Sequence, residues 1–331
     1  MRLTESASVP LSAGVDIGGS KVLAVALDES REVLAQVRLR TGTGAEGVVE
    51  SAVEAVHRLA ARAGVRPEDF CVVGVGVPGL VEAGSGDVSH AVNLGLGEGV
   101  LRLGPLLAGR LGVPVVVEND VNAAALGAAR LLGLDDSDLA FLSIGTGLAA
   151  GLVTGGRVRR GARGAAGEVG HIPVDPAGLP CPCGQRGCLE TLASGSAIAA
   201  AWPGHDGRPP ASALFAAAAD GDHRAIEVRD RFAEHVAAAV RLLVLTCDVE
   251  RVVLGGGVTE VGPALLDAVK AALRRQAAGS PFLAALDLPD RVAVVPVRSA
   301  VAAVGAALCG VVAYAAGETG EAADDTGRQL A

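Results

Sequence analysis

Aromatic side chains are almost missing from this chain: Phe, Trp and Tyr make up 2% of its 331 residues. Half of the residues are nevertheless apolar, so the chain is globular and not disordered. Its interior has to be filled by Ala, Val, Leu and Gly. A basic block is also lacking, and the net charge is −9. Nucleic acid and anionic membrane surfaces are therefore excluded as partners, because neutralising phosphates takes clustered Lys and Arg. The N-terminal MRLTESASVPLSAG has no positive segment followed by an apolar one, so no secretory leader is expected and the expected compartment is the cytoplasm. Residues 300–317 (AVAAVGAALCGVVAYAAG) are apolar. They are short for a membrane span, rich in Ala and Gly and without an aromatic belt, which predicts a helix buried between domains. Missing too are the redox pair C-x-x-C and the Walker A loop.

What is present is concentrated. Of six cysteines, three lie in residues 181–188, within the stretch GEVGHIPVDPAGLPCPCGQRGCLE at 167–190. In a reducing compartment, clustered cysteines point to metal or redox chemistry before structural disulfides. A lone nucleophile has no use for three thiols. Zinc accounts for all of them: Cys181, Cys183 and Cys188 supply thiolates, and His171 an imidazole. Pro180, Pro182, Gly184 and Gly187 provide the tight turns that let near neighbours converge. Four protein ligands leave no open position, so the predicted zinc is structural. Glu168 and Glu190 bracket this brace, and two carboxylates on a rigid platform suit a ligand with many hydroxyls. Cys71, Cys247 and Cys309 sit in apolar runs and read as core residues.

Three glycine turns follow three apolar strands. AGVDIGGSKVLAVALDE (13–29) reads as strand, hairpin and strand around Asp16, Gly18, Gly19, Ser20 and Lys21. LAFLSIGTGLAAGLVTGG (139–156) repeats the design around Gly145, Thr146 and Gly147, and RVVLGGGVTE (251–260) ends a strand in Gly255, Gly256 and Gly257. Glycine lets backbone N–H groups approach phosphates closely, so the set suggests one nucleotide gripped by two similar halves. GVGVPG (74–79) matches the spacing of a dinucleotide fingerprint. Pro78 and the following LVEAGSG oppose the helix that such a fingerprint must open, which excludes a nicotinamide site. Finally, GVPVVVENDVNAAALGAARLLG (112–133) predicts a strand over 113–117 and a helix over 122–132. Glu118, Asn119 and Asp120 fall at the strand's C-terminal end, where sites of α/β proteins form. Asp120 there is either a helix cap or a functional carboxylate.

Together these segments resemble the ROK family (repressors, open reading frames, kinases) of the actin-like, ribonuclease H-like ATPases, from about residue 13 to about residue 312. DIGGSK looks like the first phosphate loop, END the catalytic segment, GTGLAAG the second phosphate loop, LGGGV the adenosine-side turn, and GEVGH with CPCGQRGCLE the zinc and sugar signature. The resemblance implies an α/β fold of two domains with a structural zinc site in the larger one. The smaller would take residues 1–121 with 300–316 and the larger 122–299, with ATP and sugar in the cleft between them; 317–331 would be a disordered tail. It also implies ATP- and Mg2+-dependent phosphorylation of a hexose or amino-hexose at the 6-hydroxyl, with Asp120 as general base. Gly79, Asn93, Asn119, Glu168, His171 and Glu190 would contact the sugar, and the protein would be a homodimer or tetramer.

The chain departs from the family pattern in places. Where many members carry Trp after Asn93, it reads NLGLGEGV, which opens the pocket and brings in Glu98. Glucose remains the first expectation. A carboxylate there would also suit an ammonium, as in glucosamine or 3-amino-3-deoxyglucose. Ala149 and Ala150 stand where the second loop customarily has glycines. The alternative within the family is a sugar sensor or repressor without catalysis. A repressor needs a helix-turn-helix ahead of the sugar domain, and only about a dozen residues precede DIGGSK.

Overall fold

The computed structural model describes residues 11–91, 94–96, 99–203, 207–296 and 299–317. Asn93 and Glu98, and residues 318–331 of the expected tail, lie outside the described residues.

The chain forms two compact units: residues 1–127 with 300–331, and 128–299. In the first, β1 (Ser12–Ile17), β2 (Lys21–Leu27) and β3 (Val33–Arg40) lead into α1 (Gly44–Ala63). The helix buries Val48, Val49, Ala52, Ala55, Val56 and Leu59, a helical spacing, and stops at Gly64 in the left-handed region. Next come β4 (Val73–Val77), the short β5 (Leu80–Val81) and β6 (Val88–Ser89), α2 (Leu103–Leu111), β7 (Val115–Asn119) and α3 (Asp120–Leu131). The second unit contains β8 (Leu139–Ile144), β9 (Leu148–Thr154), β10 (Arg157–Val158), α4 (Glu190–Ala193), α5 (Gly195–Ala201), α6 (Pro210–Ala219) and α7 (His223–Cys247). It continues with β11 (Arg251–Gly255), α8 (Pro263–Ala277), α9 (Pro281–Ala284) and β12 (Val292–Val294), and α10 (Val301–Ala315) returns to the first unit.

The two sheets are copies in plan. The first runs β3-β2-β1-β4-β7 and the second β10-β9-β8-β11-β12. In each, an antiparallel hairpin (β1/β2, β8/β9) is extended on one side by parallel strands (β4 and β7, β11 and β12). Each sheet has its own core. Val15, Val73, Val75, Leu59 and Leu107 pack in the first, and Leu142, Ile144, Val236, Val240 and Leu273 in the second.

The apolar segment near the C-terminus is α10, one face of the first unit's sheet being covered by it. Its approach is close because strand positions beneath it lack a side chain: a Cβ on Gly74 would stand 1.7 Å from the Ala306 carbonyl oxygen. No described helix is long and apolar enough to cross a membrane. GVGVPG is β4 and a turn into β5, with no helix after it. Two boundaries differ from expectation. β7 starts and ends two residues later than predicted, because Pro114 precedes it and Glu118 and Asn119 still pair with Gly76 and Val77 of β4. The helix then starts at Asp120 and not at Asn122.

Candidate active site

In the first unit, β1, β4 and β7 are parallel neighbours, so their C-terminal ends share one sheet edge. Asp16, Gly79 and the segment Asn119–Asp120 gather along it. Asp16 is level with Gly76 in the β1/β4 ladder. Gly76 has no side chain, and a Cβ there would be 3.6 Å from the Cα of Asp120. The two aspartates are thereby electrostatic neighbours. Burial, and then the Asp120 carboxylate, push the Asp16 carboxyl up to about 7, with Lys21 pulling the other way.

The helix cap is Asn119, not Asp120. Its Oδ1 accepts the N–H groups of Val121 (2.9 Å) and Asn122 (3.1 Å), the pattern of an N-cap. Its Nδ2 donates to the carbonyl of Gly79 at 3.0 Å. Gly79 has φ of 109°, and a Cβ on it would meet the Ser89 carbonyl oxygen at 2.6 Å, so only glycine fits that turn. Asp120 Oδ1 shares the Val121 N–H with that cap, also at 2.9 Å. Beneath it, Glu118 is 2% exposed, and its Oε1 accepts Asn119 N–H and Asn122 Nδ2, both at 3.0 Å. Sequence reasoning gave Glu118 and Asn122 no role, although an acidic residue at the end of an apolar strand was a visible signal. The hairpin turn beside this edge is held by Gly18 N–H on the Lys21 carbonyl (2.9 Å) and by Thr41 Oγ1 on the Gly18 carbonyl (2.6 Å). Gly19, Ser20 and Lys21 are exposed on it.

In the second unit, β8 and β11 are parallel, so the Gly145–Gly147 and Gly255–Gly257 turns leave from the same edge. They are neighbours: a Cβ on Gly256 would stand 2.6 Å from the Ile144 carbonyl carbon. The Gly145–Gly147 turn is closed by Gly145 N–H on the Gly147 carbonyl (3.0 Å). Outside it, Gly195 N–H donates to the Gly145 carbonyl (2.7 Å), and Leu148 N–H donates to Oε2 of Glu190 (2.9 Å).

The cysteines converge as their spacing predicts. The ligand atoms of His171, Cys181, Cys183 and Cys188 all lie within 4.8 Å of one another. Cys183 Sγ and Cys188 Sγ are 3.7 Å apart, as are Cys181 Sγ and His171 Nδ1. A tetrahedral zinc with thiolates at about 2.3 Å requires sulfur pairs about 3.8 Å apart. The donors therefore fit a Cys3His zinc-binding cluster. The polypeptide builds it by a turn, Gly184 N–H to the Cys181 carbonyl (3.0 Å), and by a strand-like return of 187–189 along 172–174. Backbone and side chain of Gln185 lower the Cys183 thiol to about 6, while burial and the adjacent sulfurs push Cys188 up to about 12. Three close thiols cannot all ionise by themselves, and a divalent cation removes that conflict. His171 faces the cluster with Nδ1, which leaves Nε2 for another partner. Glu168 is exposed just ahead of the 3-10 turn Val169–His171 and makes no side-chain bond with any described residue. One concentration of charge runs against the reading that the chain has no basic block: Arg157, Arg159, Arg160 and Arg163 lie on β10 and the loop leading to Glu168.

A family profile described as the ROK family matches residues 12–309. A glucokinase of Halalkalibacterium halodurans is 32% identical over 293 residues, covering 81% of this chain and 88% of that protein. An N-acetylmannosamine kinase of Citrobacter koseri is 34% identical over 248 residues, 74% of this chain and 82% of that protein. Among solved structures, a glucokinase from Streptomyces griseus in complex with glucose and AMPPNP superposes with a TM-score of 0.73 at 33% identity, over 91% of this chain and 99% of that one.

Proposed function

Since the chain belongs to the ROK family, we propose that it is an ATP-dependent hexose kinase that phosphorylates the 6-hydroxyl of a glucose-type sugar, with Asp120 as general base. The observation that carries this reading is the sheet edge of the first unit. There Asn119 caps α3, and Asp120, whose Oδ1 shares the Val121 N–H with that cap, stands next to a second carboxylate, Asp16, beside the Gly18–Lys21 turn. The relative solved with glucose and AMPPNP supports the same pair of substrates.

In this reading Asp120 accepts the proton of the 6-hydroxyl as that oxygen bonds to the γ-phosphorus. The bond from the γ-phosphorus to the β–γ bridging oxygen breaks, ADP leaves with that oxygen, and Asp120 later gives its proton to water. General-base help of this kind contributes about 10²–10⁴-fold. The backbone N–H groups of the Gly18–Lys21 and Gly145–Gly147 turns and the Lys21 ammonium hold the phosphates, with Gly255–Gly257 on the adenosine side. Mg2+ bound with the nucleotide would supply neutralisation of charge on the phosphates, and Asp16, near the end of β1, is the residue that would hold it. Gly79, Asn119, Glu168, His171 and Glu190 bind ring hydroxyls. A zinc held by Cys181, Cys183, Cys188 and His171 would fix the imidazole through the nitrogen that faces the cluster, Nδ1, leaving Nε2–H as a donor.

The substrate is tested by sugar-dependent ADP release with Mg-ATP across neutral hexoses, N-acetylhexosamines and free amino hexoses. One sugar whose kcat/KM stands well above the rest names the substrate. A preference for an N-acetylated sugar would move the protein toward the mannosamine kinase relatives. Sugar binding without ADP release from any of them would refute the kinase reading in favour of a sensor.

A further inference from the structure

The carboxylate of Glu190 has two ends, and only one is available to a sugar. Oε2 accepts the N–H of Leu148, 42 residues away in sequence, at 2.9 Å. Leu148 follows Gly147 directly, and the carboxylate lies over Gly147 so closely that a Cβ there would be 2.3 Å from Oε2. Glu190 therefore rests on the second phosphate loop through a space that exists because residue 147 is glycine. The same segment secures the loop twice more, by Gly195 N–H on the Gly145 carbonyl (2.7 Å) and Ser196 N–H on the Thr146 carbonyl (3.4 Å). Glu190 is half-buried, and with Thr146, Gly147 and Ser194 it lines a cavity of about 300 Å³. The carboxylate and the loop thus face common space, from which a hydroxyl can reach the carboxylate. Among the described residues Oε1 has no hydrogen-bond partner.

We propose that Glu190 is the residue through which an occupied sugar site sets the nucleotide loop: a sugar hydroxyl held on Oε1 fixes the carboxylate, and Oε2 then fixes Leu148 and the Gly145–Gly147 turn. Glu190 is a sugar ligand and, toward the nucleotide, a positioning residue. The inference rests on the kinase reading of both segments. Its consequence is thermodynamic coupling: sugar tightens the nucleotide, and nucleotide tightens the sugar by the same factor. Without sugar the carboxylate can swing off Leu148, which loosens the loop and limits hydrolysis of ATP by water.

The test is calorimetric titration of zinc-loaded full-length protein with Mg-AMPPNP, with and without the sugar identified by ADP release. In the wild type, saturating sugar is expected to lower the nucleotide Kd about tenfold, the order of a charge-assisted hydrogen bond. Glu190→Ala removes the acceptor and should bring that ratio to about one. Gly147→Ala tests the same link from the other side, leaving Glu190 in the chain. Its methyl occupies the position of Oε2, and since a glutamate tip can rotate away, the protein should fold, bind sugar and lose the coupling. Glu190→Gln retains an acceptor for Leu148 N–H and should retain part of it. Amide hydrogen exchange at Leu148 gives an independent reading: sugar should slow it in the wild type and not in Gly147→Ala. An active wild-type kinase with equal nucleotide affinity with and without sugar would overturn the inference while leaving the kinase reading intact. So would a Glu190→Ala protein that binds sugar poorly yet keeps full coupling at saturating sugar. Absence of sugar-dependent ADP release is the separate result that removes the kinase reading itself.

Discussion

Asp16→Asn should make the protein more stable, and increasingly so as pH rises. In the folded protein, burial and the adjacent Asp120 raise Asp16 from 3.8 to about 7. A raised carboxylate means that the folded state holds its proton more tightly than the unfolded chain does. Asp16 therefore opposes folding progressively as pH rises from the unfolded value toward the folded one, and its cost levels off above about 7. With those two values the cost is about 1.7 kcal/mol at pH 5 and about 4 kcal/mol at pH 8. The second figure is a ceiling, since Asp16 keeps part of its surface open and Lys21 is in reach to relax toward it. Asparagine retains the shape and cannot ionise. Urea unfolding of zinc-loaded wild type and Asp16→Asn, without Mg2+ or nucleotide, should therefore show an advantage for the variant that grows by roughly 2 kcal/mol between pH 5 and pH 8. The same variant should be nearly inactive, because Asp16 is the carboxylate expected beside the Mg2+ nucleotide. An advantage that stays constant over this pH range, or a less stable variant at pH 8, would show that Asp16 is not held against its charge and would refute the proposed electrostatic pair.

Asp120→Asn should lower kcat by about 10²–10⁴-fold, with sugar affinity by calorimetry changed little; an unchanged kcat would remove Asp120 from the base role. Metal analysis should find one zinc per chain. Cys188→Ser, which replaces a fully buried ligand, should reduce zinc content below half an equivalent and lower Tm; full zinc retention would contradict the Cys3His cluster. Gly79→Ala meets both a positive φ and the Ser89 carbonyl. It should cost about 1–3 kcal/mol by urea unfolding and raise the sugar KM by disturbing Asn119, and a neutral effect on both would show that the turn is more pliant than its contacts suggest.

Much of this was legible because it is local. Cys181, Cys183 and Cys188 are near neighbours, and the prolines and glycines among them permit few arrangements, so a metal cluster could be read from spacing. Strand–glycine–strand segments are equally local, since alternation of apolar residues and turn chemistry are properties of a few consecutive positions. The helix after END was read from its alanines and leucines. Its starting residue was not, because whether Asn119 or Asp120 caps the helix depends on the strand register that carries Glu118 and Asn119 against β4.

The sequence by itself determined the classes of element, the metal-binding donor set and the exclusion of a nicotinamide fingerprint, where Pro78 stands against a helix. Tertiary structure alone decided which groups meet. Asp16 and Asp120 are far apart in the chain and become neighbours because Gly76, on the strand between theirs, contributes no side chain. Asn119 reaches Gly79 across 40 residues and Glu190 reaches Leu148 across 42. Short-range preferences fix what a segment becomes. The pairing of strands fixes which side chains share a dielectric environment, and the charge on Asp16 and the orientation of Glu190 depend on that environment.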